Sequence, residues 1–298
     1  MSVATAKRDT AFIFVVDGAR LETQSVLLAT SLRHHNPDAS LIAYTSPASY
    51  AGLPGTVRGV FDDCGVACRV LPDHGKTWKK EYPHGNKLFA LADTRDSKFS
   101  VFLDTDIIAA RPMNADDLPG RFEVSVVPEG VPSWGKNDDR WERAYAHYGL
   151  SLPTERVRLT RRKRLEFLPY FNAGFVAIRE EDKVEGKSFG ALWLETASDF
   201  DFNANIGGKR PWLDQITLPL AMKRFGFQYK VVPTENNFSI SDRRADPSED
   251  PVFVHYHRSR YLLNWPQWKA AKNTAFEMVC AKNHAELTTM LQSAGFEE

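Results

Sequence analysis

The sequence predicts an α/β fold in which a mixed central sheet is flanked by helices. Three observations predict it. Over residues 10 to 118 short apolar runs alternate with segments of helical period, the pattern of linked βαβ units. The chain has 298 residues, 43% of them hydrophobic and 12% aromatic, enough to bury one large core. No internal repeat or low-complexity linker interrupts it, so a single domain over 1–298 is expected, with later elements adding to the first sheet.

"FIFVVD" reads as a buried strand. Leu21, Ser25, Leu28 and Leu32 then recur at helical spacing until Asn36 and Pro37 stop the helix. "SLIAYTS" and "ACRVLP" are the second and third strands, and the helix "GNKLFALADTRD" feeds the strand "SVFLD". Strands "FEVSVVP" and "FVAIRE" follow, then helices over Ser188 to Phe200 and Trp212 to Phe225. Strands "YKVVP" and "VFVHY" precede two C-terminal helical stretches. Pro219 lies four residues after Gln215 and removes the hydrogen bond that the Gln215 carbonyl would accept, so a kink or a short first turn is expected there.

Thirty-eight basic residues balance thirty-eight acidic ones, which gives no global reason to expect nucleic acid or a bulk membrane surface as partner. The first apolar run, Ala11 to Val16, is far too short for a signal segment or a spanning helix, so a cytoplasmic protein is expected. Cys64, Cys68 and Cys280 are too few for a disulfide framework and read as plain thiols.

Function in open α/β sheets gathers beyond the carboxyl ends of the strands. Asp104 and Asp106 fall there, at the end of "SVFLD". Side chains at i and i+2 leave a strand on one face, about 6.5 to 7 Å apart, close enough for both to approach one divalent ion. Alone, the pair is also that of a turn cap beside a solvated carboxylate. No basic residue lies within four positions of it, and that context invites a cation. A cation suits a diphosphate, whose oxygens it bridges and whose developing charge it neutralises. A third ligand is offered by "VFVHYHRSR", where an apolar strand delivers His255, with His257 on the same face if the strand continues. A histidine at a strand end is also often a satisfied polar residue. Arg258 and Arg260 carry forked donors for phosphate oxygens.

Four blocks together resemble the GT-A nucleotide-sugar glycosyltransferases, specifically the retaining family of glycogenin and the bacterial lipooligosaccharide galactosyltransferases. They are Asn86 to Leu118 with its "DTD" strand end, "YFNAGFVAI" from Tyr170, "WLDQITL" from Trp212, and "VHYHRSR", in the family's order. The resemblance implies a GT-A fold with a nucleotide-binding βαβ half over about 10–118, a donor-sugar and acceptor half over 119–265, and C-terminal helices over 266–298. It implies a metal-dependent retaining transfer of a hexose from a nucleotide-diphosphate sugar, a uridine one, to a glycan or lipid-linked saccharide. By match of position it assigns Asp104, Asp106 and His255 as ligands of manganese or magnesium, Asp104 also serving the donor. Lys87 matches the basic residue reaching donor phosphate or sugar, although a lysine there also reads as an exposed helix residue. Asn172, Ala173 and Gly174 match the turn that approaches the donor sugar, although a glycine at a strand bulge fits the same letters. Asp214 and Gln215 match the catalytic pair below the anomeric carbon, while an acidic residue in a helix first turn also complements the dipole. Asp17 sits where such enzymes begin to cradle the nucleotide, with Arg20 after it.

The last block departs from the family, which continues from the histidine with glycine and then lysine-proline-tryptophan. Here the run is His255, Tyr256, His257, Arg258, Ser259, Arg260, and either arginine stands as the candidate for the lysine's place on the diphosphate. "ERVRLTRRKRLEF" packs Arg156, Arg158, Arg161, Arg162, Lys163 and Arg164 into nine positions, which suits an anionic acceptor or peripheral contact with an anionic inner membrane face, and equally a solvated basic loop. Trp141, Tyr145 and Tyr148 share a helical face and would either stack on sugar or fill a core. Two other functions compete. A sugar-phosphate nucleotidyltransferase would carry a glycine-rich basic loop after its first strand, and "VVDGARLETQ" has none. A degenerate donor-binding scaffold would lack metal-dependent turnover.

Overall fold

The computed structural model describes residues 9–72, 75–241 and 243–296. In chain order its elements are β1 (Thr10–Val15), α1 (Ala19–His35), β2 (Ser40–Thr45), α2 (Pro47–Gly52), α3 (Gly55–Asp63), β3 (Val66–Val70), α4 (Asn86–Ala92), β4 (Phe99–Leu103), β5 (Ile107–Ala109) and β6 (Glu123–Pro128). There follow α5 (Arg140–His147), β7 (Val157–Arg158), β8 (Glu166–Phe167), β9 (Phe171–Arg179), β10 (Lys183–Val184), β11 (Lys187–Ser188), α6 (Phe189–Asn203), α7 (Leu213–Phe225) and β12 (Gln228–Val231). The chain ends with β13 (Phe238–Ser239), β14 (Phe253–His255), α8 (Ser259–Leu262), α9 (Pro266–Met278) and α10 (His284–Ser293). Every strand and long helix expected from the sequence is present, and α7 runs continuously through Pro219.

The chain forms two compact units, one from 1–73, 96–115 and 235–298, the other from 74–95 and 116–234. In the first unit β1 pairs in parallel with both β2 and β4, and β2 with β3. Phe12, Ile13, Phe14, Val101, Phe102 and Leu103 are buried on these strands, which explains their unbroken apolar runs. The same unit holds a three-stranded sheet in the order β13-β14-β5. The Ala109 amide on β5 donates to the Ser31 hydroxyl at 3.0 Å, tying that sheet to α1.

In the second unit β6 pairs in parallel with β12 and antiparallel with β9, so the pairing is mixed. Helix α4 is shorter than its sequence pattern because Asp93 turns extended, at φ −66° and ψ 156°. Arg95 then folds back to donate to the Ala90 and Leu91 carbonyls at 2.6 and 3.1 Å, while its Nε donates to Glu180 at 2.7 Å. Helices α4 and α6 cross closely at Gly190, where a Cβ would stand 2.1 Å from the Leu91 carbonyl oxygen. Trp134, Trp141 and Tyr145 lie in the unit's aromatic core, each 1% exposed, so core filling rather than sugar stacking accounts for them. The basic run forms the β7–β8 hairpin, on which Arg158, Lys163 and Arg164 are exposed.

Candidate active site

The first unit gathers an oxygen and nitrogen donor cluster. Asp104, Thr105 and Asp106 form a turn between β4 and β5 rather than a strand end, so the two carboxylates do not share a strand face. Thr105 is buried and its hydroxyl donates to the Val15 carbonyl, which holds the turn to the end of β1. The antiparallel register of β14 on β5 sets His255 opposite Ile107, and the Tyr256 amide donates to the Asp106 carbonyl at 3.1 Å. The outcome is His255 Nε2 at 3.1 Å from Asp106 Oδ1.

His257 joins them by a route the sequence does not show. Strand β14 stops at His255, and His257 takes a positive φ of 56° that lays its ring against that of His255, centroids 3.8 Å apart. Ligand atoms of Asp106, His255 and His257 all lie within 4.8 Å of one another, and Asp104 is outside that group among the described residues. Neighbouring side chains orient both rings: Asn237 Oδ1 pairs with His255 Nδ1 at 2.9 Å, and Ser239 Oγ with His257 Nε2 at 3.0 Å. With Asn237 Oδ1 accepting, His255 Nδ1 carries the hydrogen and its Nε2 presents a lone pair toward a carboxylate oxygen. Two acceptors facing each other need a proton or a cation between them, and a second hydrogen-bond shell of this kind is what orients metal-binding imidazoles. With a proton in that place, burial acts to raise the Asp106 carboxyl, but the charge of His255 and its hydrogen bond, then the charges of His257 and Arg20, hold it well below the usual carboxylate range. The donor set therefore fits a divalent metal ion.

Three other expected residues belong to this unit. Asp17, at the end of β1, accepts the Ser46 hydroxyl at 2.7 Å and the Ser49 hydroxyl on the same oxygen. Arg258 is exposed ahead of α8, and the exposed Arg260 guanidinium lies 5.1 Å over the Tyr261 ring.

The second unit gathers a different cluster. Lys87, in the first turn of α4, is buried rather than exposed and lies 3.0 Å from Asp214 Oδ2, both side chains under a tenth exposed. Its ammonium also donates to the Ala173 carbonyl at 3.3 Å. The Tyr82 hydroxyl donates to Asp214 Oδ1 at 2.9 Å and accepts the Asp214 amide at 3.1 Å. That hydroxyl does the work of a cap, since the Trp212 side chain at the start of α7 makes no capping bond. Burial, then the Asp214 charge, pushes the Tyr82 phenol up. Gln215 is held in parallel fashion: Tyr170 donates to its Oε1 at 2.8 Å, and the Tyr170 hydroxyl is 2.8 Å from that of Ser133.

The "FNAG" letters fall on an irregularity of β9. Val126 pairs with Val176 but Pro128 with Phe171, so Asn172 to Phe175 stand against the single Val127. The bulge turns the Asn172 amide onto the protein, where Nδ2 donates to Glu129 at 2.9 Å and Oδ1 accepts the Gly174 amide at 2.9 Å. Residues 172–174 thus neighbour the Lys87–Asp214 pair through the Ala173 carbonyl. Sequence reading missed Tyr82, Glu129 and Asn237, which carry no motif, and gave no role to Tyr170 although it opens the "YFNAGFVAI" block. His257 was legible as a neighbour of His255 but not as a cluster member.

The chain matches the model of the Rhodobacterales glycosyltransferase domain over residues 12–226. No curated protein matches it in sequence. By structure it is similar to the galactosyltransferase LgtC in complex with donor and acceptor sugar analogues, at 14% identity and a TM-score of 0.55, over 93% of this chain and 99% of that one. It is also similar to the apo glycosyltransferase GlyE of Streptococcus pneumoniae TIGR4, at 15% identity and 0.53, over 97% of this chain and 63% of that one. A third likeness is to the apo bifunctional glycosyltransferase WbbM, at 13% identity and 0.52, over 92% of this chain and 53% of that one. At such identities the likeness carries the fold, which is GT-A.

Proposed function

From a chain that belongs to the Rhodobacterales glycosyltransferase domain family, and is therefore a glycosyltransferase, we propose a metal-dependent enzyme moving a hexose from a UDP-sugar to a glycan or lipid-linked saccharide with retention. The observation that carries the metal dependence is the facing of Asp106 Oδ1 and His255 Nε2 at 3.1 Å, with a third donor from His257 beside them. Asp106 and His255 would hold the ion, with Asp104 in the same turn serving the metal and the donor. A bound divalent ion supplies Lewis-acid neutralisation of the departing nucleoside diphosphate.

The chain's own residues do the rest. Asp17 cradles the nucleotide from the end of β1, and Arg258 or Arg260 binds phosphate oxygens from exposed positions. Lys87 screens Asp214 and reaches the donor phosphate or sugar. Asp214 and Gln215, already oriented by Tyr82 and Tyr170, hydrogen-bond the transferred sugar and stabilise an oxocarbenium-like transition state. Asn172, Ala173 and Gly174 offer the bulged backbone to the donor. Among the described residues no helix is long and apolar enough to cross a membrane. A cytoplasmic enzyme is the reading we favour, with the exposed arginines of the β7–β8 hairpin meeting an anionic acceptor or lipid surface. One GT-A catalytic domain over 1–298 accords with it.

Calorimetric titration with UDP and GDP, each with and without manganese, tests this reading on the wild type and on Asp106→Ala and His255→Ala. Manganese-dependent UDP binding that both substitutions abolish is expected. Nucleotide binding indifferent to metal and to both substitutions overturns it.

A further inference from the structure

The donor cluster contains one residue that the fold holds at a conformational cost. His257 stands at φ 56°, in the left-handed region that favours glycine and that a β-carbon disfavours. The backbone turn there closes through the Arg258 amide on the Tyr256 carbonyl. What the histidine adds is its ring. That ring stacks on His255, is tied by Ser239 at Nε2, and brings a nitrogen to within 4.8 Å of ligand atoms on Asp106 and His255. Strained backbone kept for the sake of a side chain is characteristic of ligand-binding positions.

We propose that His257 is itself a metal ligand, adding a second imidazole to His255 beside the Asp106 carboxylate, so that metals which accept imidazole nitrogen, manganese among them, are favoured over magnesium. The inference rests on the metal-dependent reading above and deepens it. Its chemistry follows from ligand type: imidazole suits zinc, copper, iron and nickel and is accepted by manganese beside oxygen ligands, whereas magnesium takes oxygen ligands and sheds water reluctantly. The two orienting neighbours are matched: Asn237 precedes β13 and holds His255, and Ser239 on β13 holds His257, so one short strand aligns both rings.

The test compares wild type with His257→Gly, a substitution that removes the ring and suits the backbone. Manganese and magnesium are titrated by calorimetry with and without UDP, and bound manganese is read by pulsed electron paramagnetic resonance for nitrogen couplings. The expected result is two coupled imidazole nitrogens in the wild type and one in the variant. The manganese Kd should rise about 10-fold or more while the magnesium Kd moves less, and the melting temperature should hold or rise. His257→Asn, which tolerates the same backbone, serves as a second variant and should lose the same coupling. Wild-type manganese affinity and two nitrogens retained in His257→Gly, with binding still lost in Asp106→Ala, overturn the role of His257 alone. A folded wild type that binds no divalent metal in any condition overturns both this inference and the metal-dependent reading.

Discussion

In the Asp106 cluster an imidazole nitrogen faces a carboxylate oxygen at 3.1 Å, whereas in the Asp214 cluster each carboxylate oxygen already has a donor, Tyr82 at 2.9 Å and Lys87 at 3.0 Å. The first arrangement is complete only with a positive centre between its members. The second has its carboxylate oxygens satisfied within the protein, which fixes their orientation. The two clusters also differ in what builds them. Register does it in the first, since the β13-β14-β5 sheet sets Asn237, Ser239, His255 and Asp106 side by side. In the second, two loop hydroxyls reach the start of α7, Tyr82 taking the Asp214 amide and Tyr170 donating to the Gln215 side chain. One cluster lacks a positive centre between its members, and the other has its own hydrogen-bond donors in place.

The comparison breaks most sharply at Lys87. Replacing it by alanine leaves Asp214 buried without its cation, and a loss of about 3 to 5 kcal/mol in urea unfolding is expected. Lys87→Ala combined with Asp214→Leu should recover part of that loss, and an additive double variant would refute a self-satisfied pair. Next in size is Asn237→Ala. By freeing the His255 ring it should weaken manganese about 10- to 100-fold in calorimetry while the unfolding midpoint shifts little, which separates a metal-orienting neighbour from a stabilising one. Tyr82→Phe keeps the buried ring but removes the hydroxyl that caps α7. It should cost about 1 kcal/mol of stability and lower kcat more than it raises KM, since it loosens Asp214 without touching the Asp106 cluster. A loss of metal affinity in this variant would count against independent clusters.

Alkaline titration gives the smallest effect. Burial pushes up the phenols of Tyr82, Tyr145 and Tyr170, so their native forms stay protonated where the unfolded chain, with tyrosine pKa near about 10, would ionise. Their contribution is present in full below that value and is lost as pH rises past it. Absorbance near the tyrosinate band should therefore show delayed ionisation, with Tyr82, Tyr145 and Tyr170 released only on unfolding. Prompt titration of all nine tyrosines in the chain would contradict the buried network.

By itself the sequence determined the α/β class, the strand and helix order, and the positions of Asp104, Asp106, Asp214, Gln215 and His255, because apolar periodicity and short motifs are local. Lys87 was legible as a residue but not as a buried ion-pair partner, since its helix position alone fits exposure equally well. Tertiary structure alone decided which groups meet. Tyr82 lies 132 residues from Asp214, and Asn237 is 18 from His255. A hydroxyl or amide acquires a role only when sheet register or a helix start brings it within hydrogen-bond reach. The same holds for His257, whose part depends on a left-handed turn that an alternating strand pattern cannot express. Periodicity reports the face a side chain takes along its own element, and site chemistry depends on distances between elements.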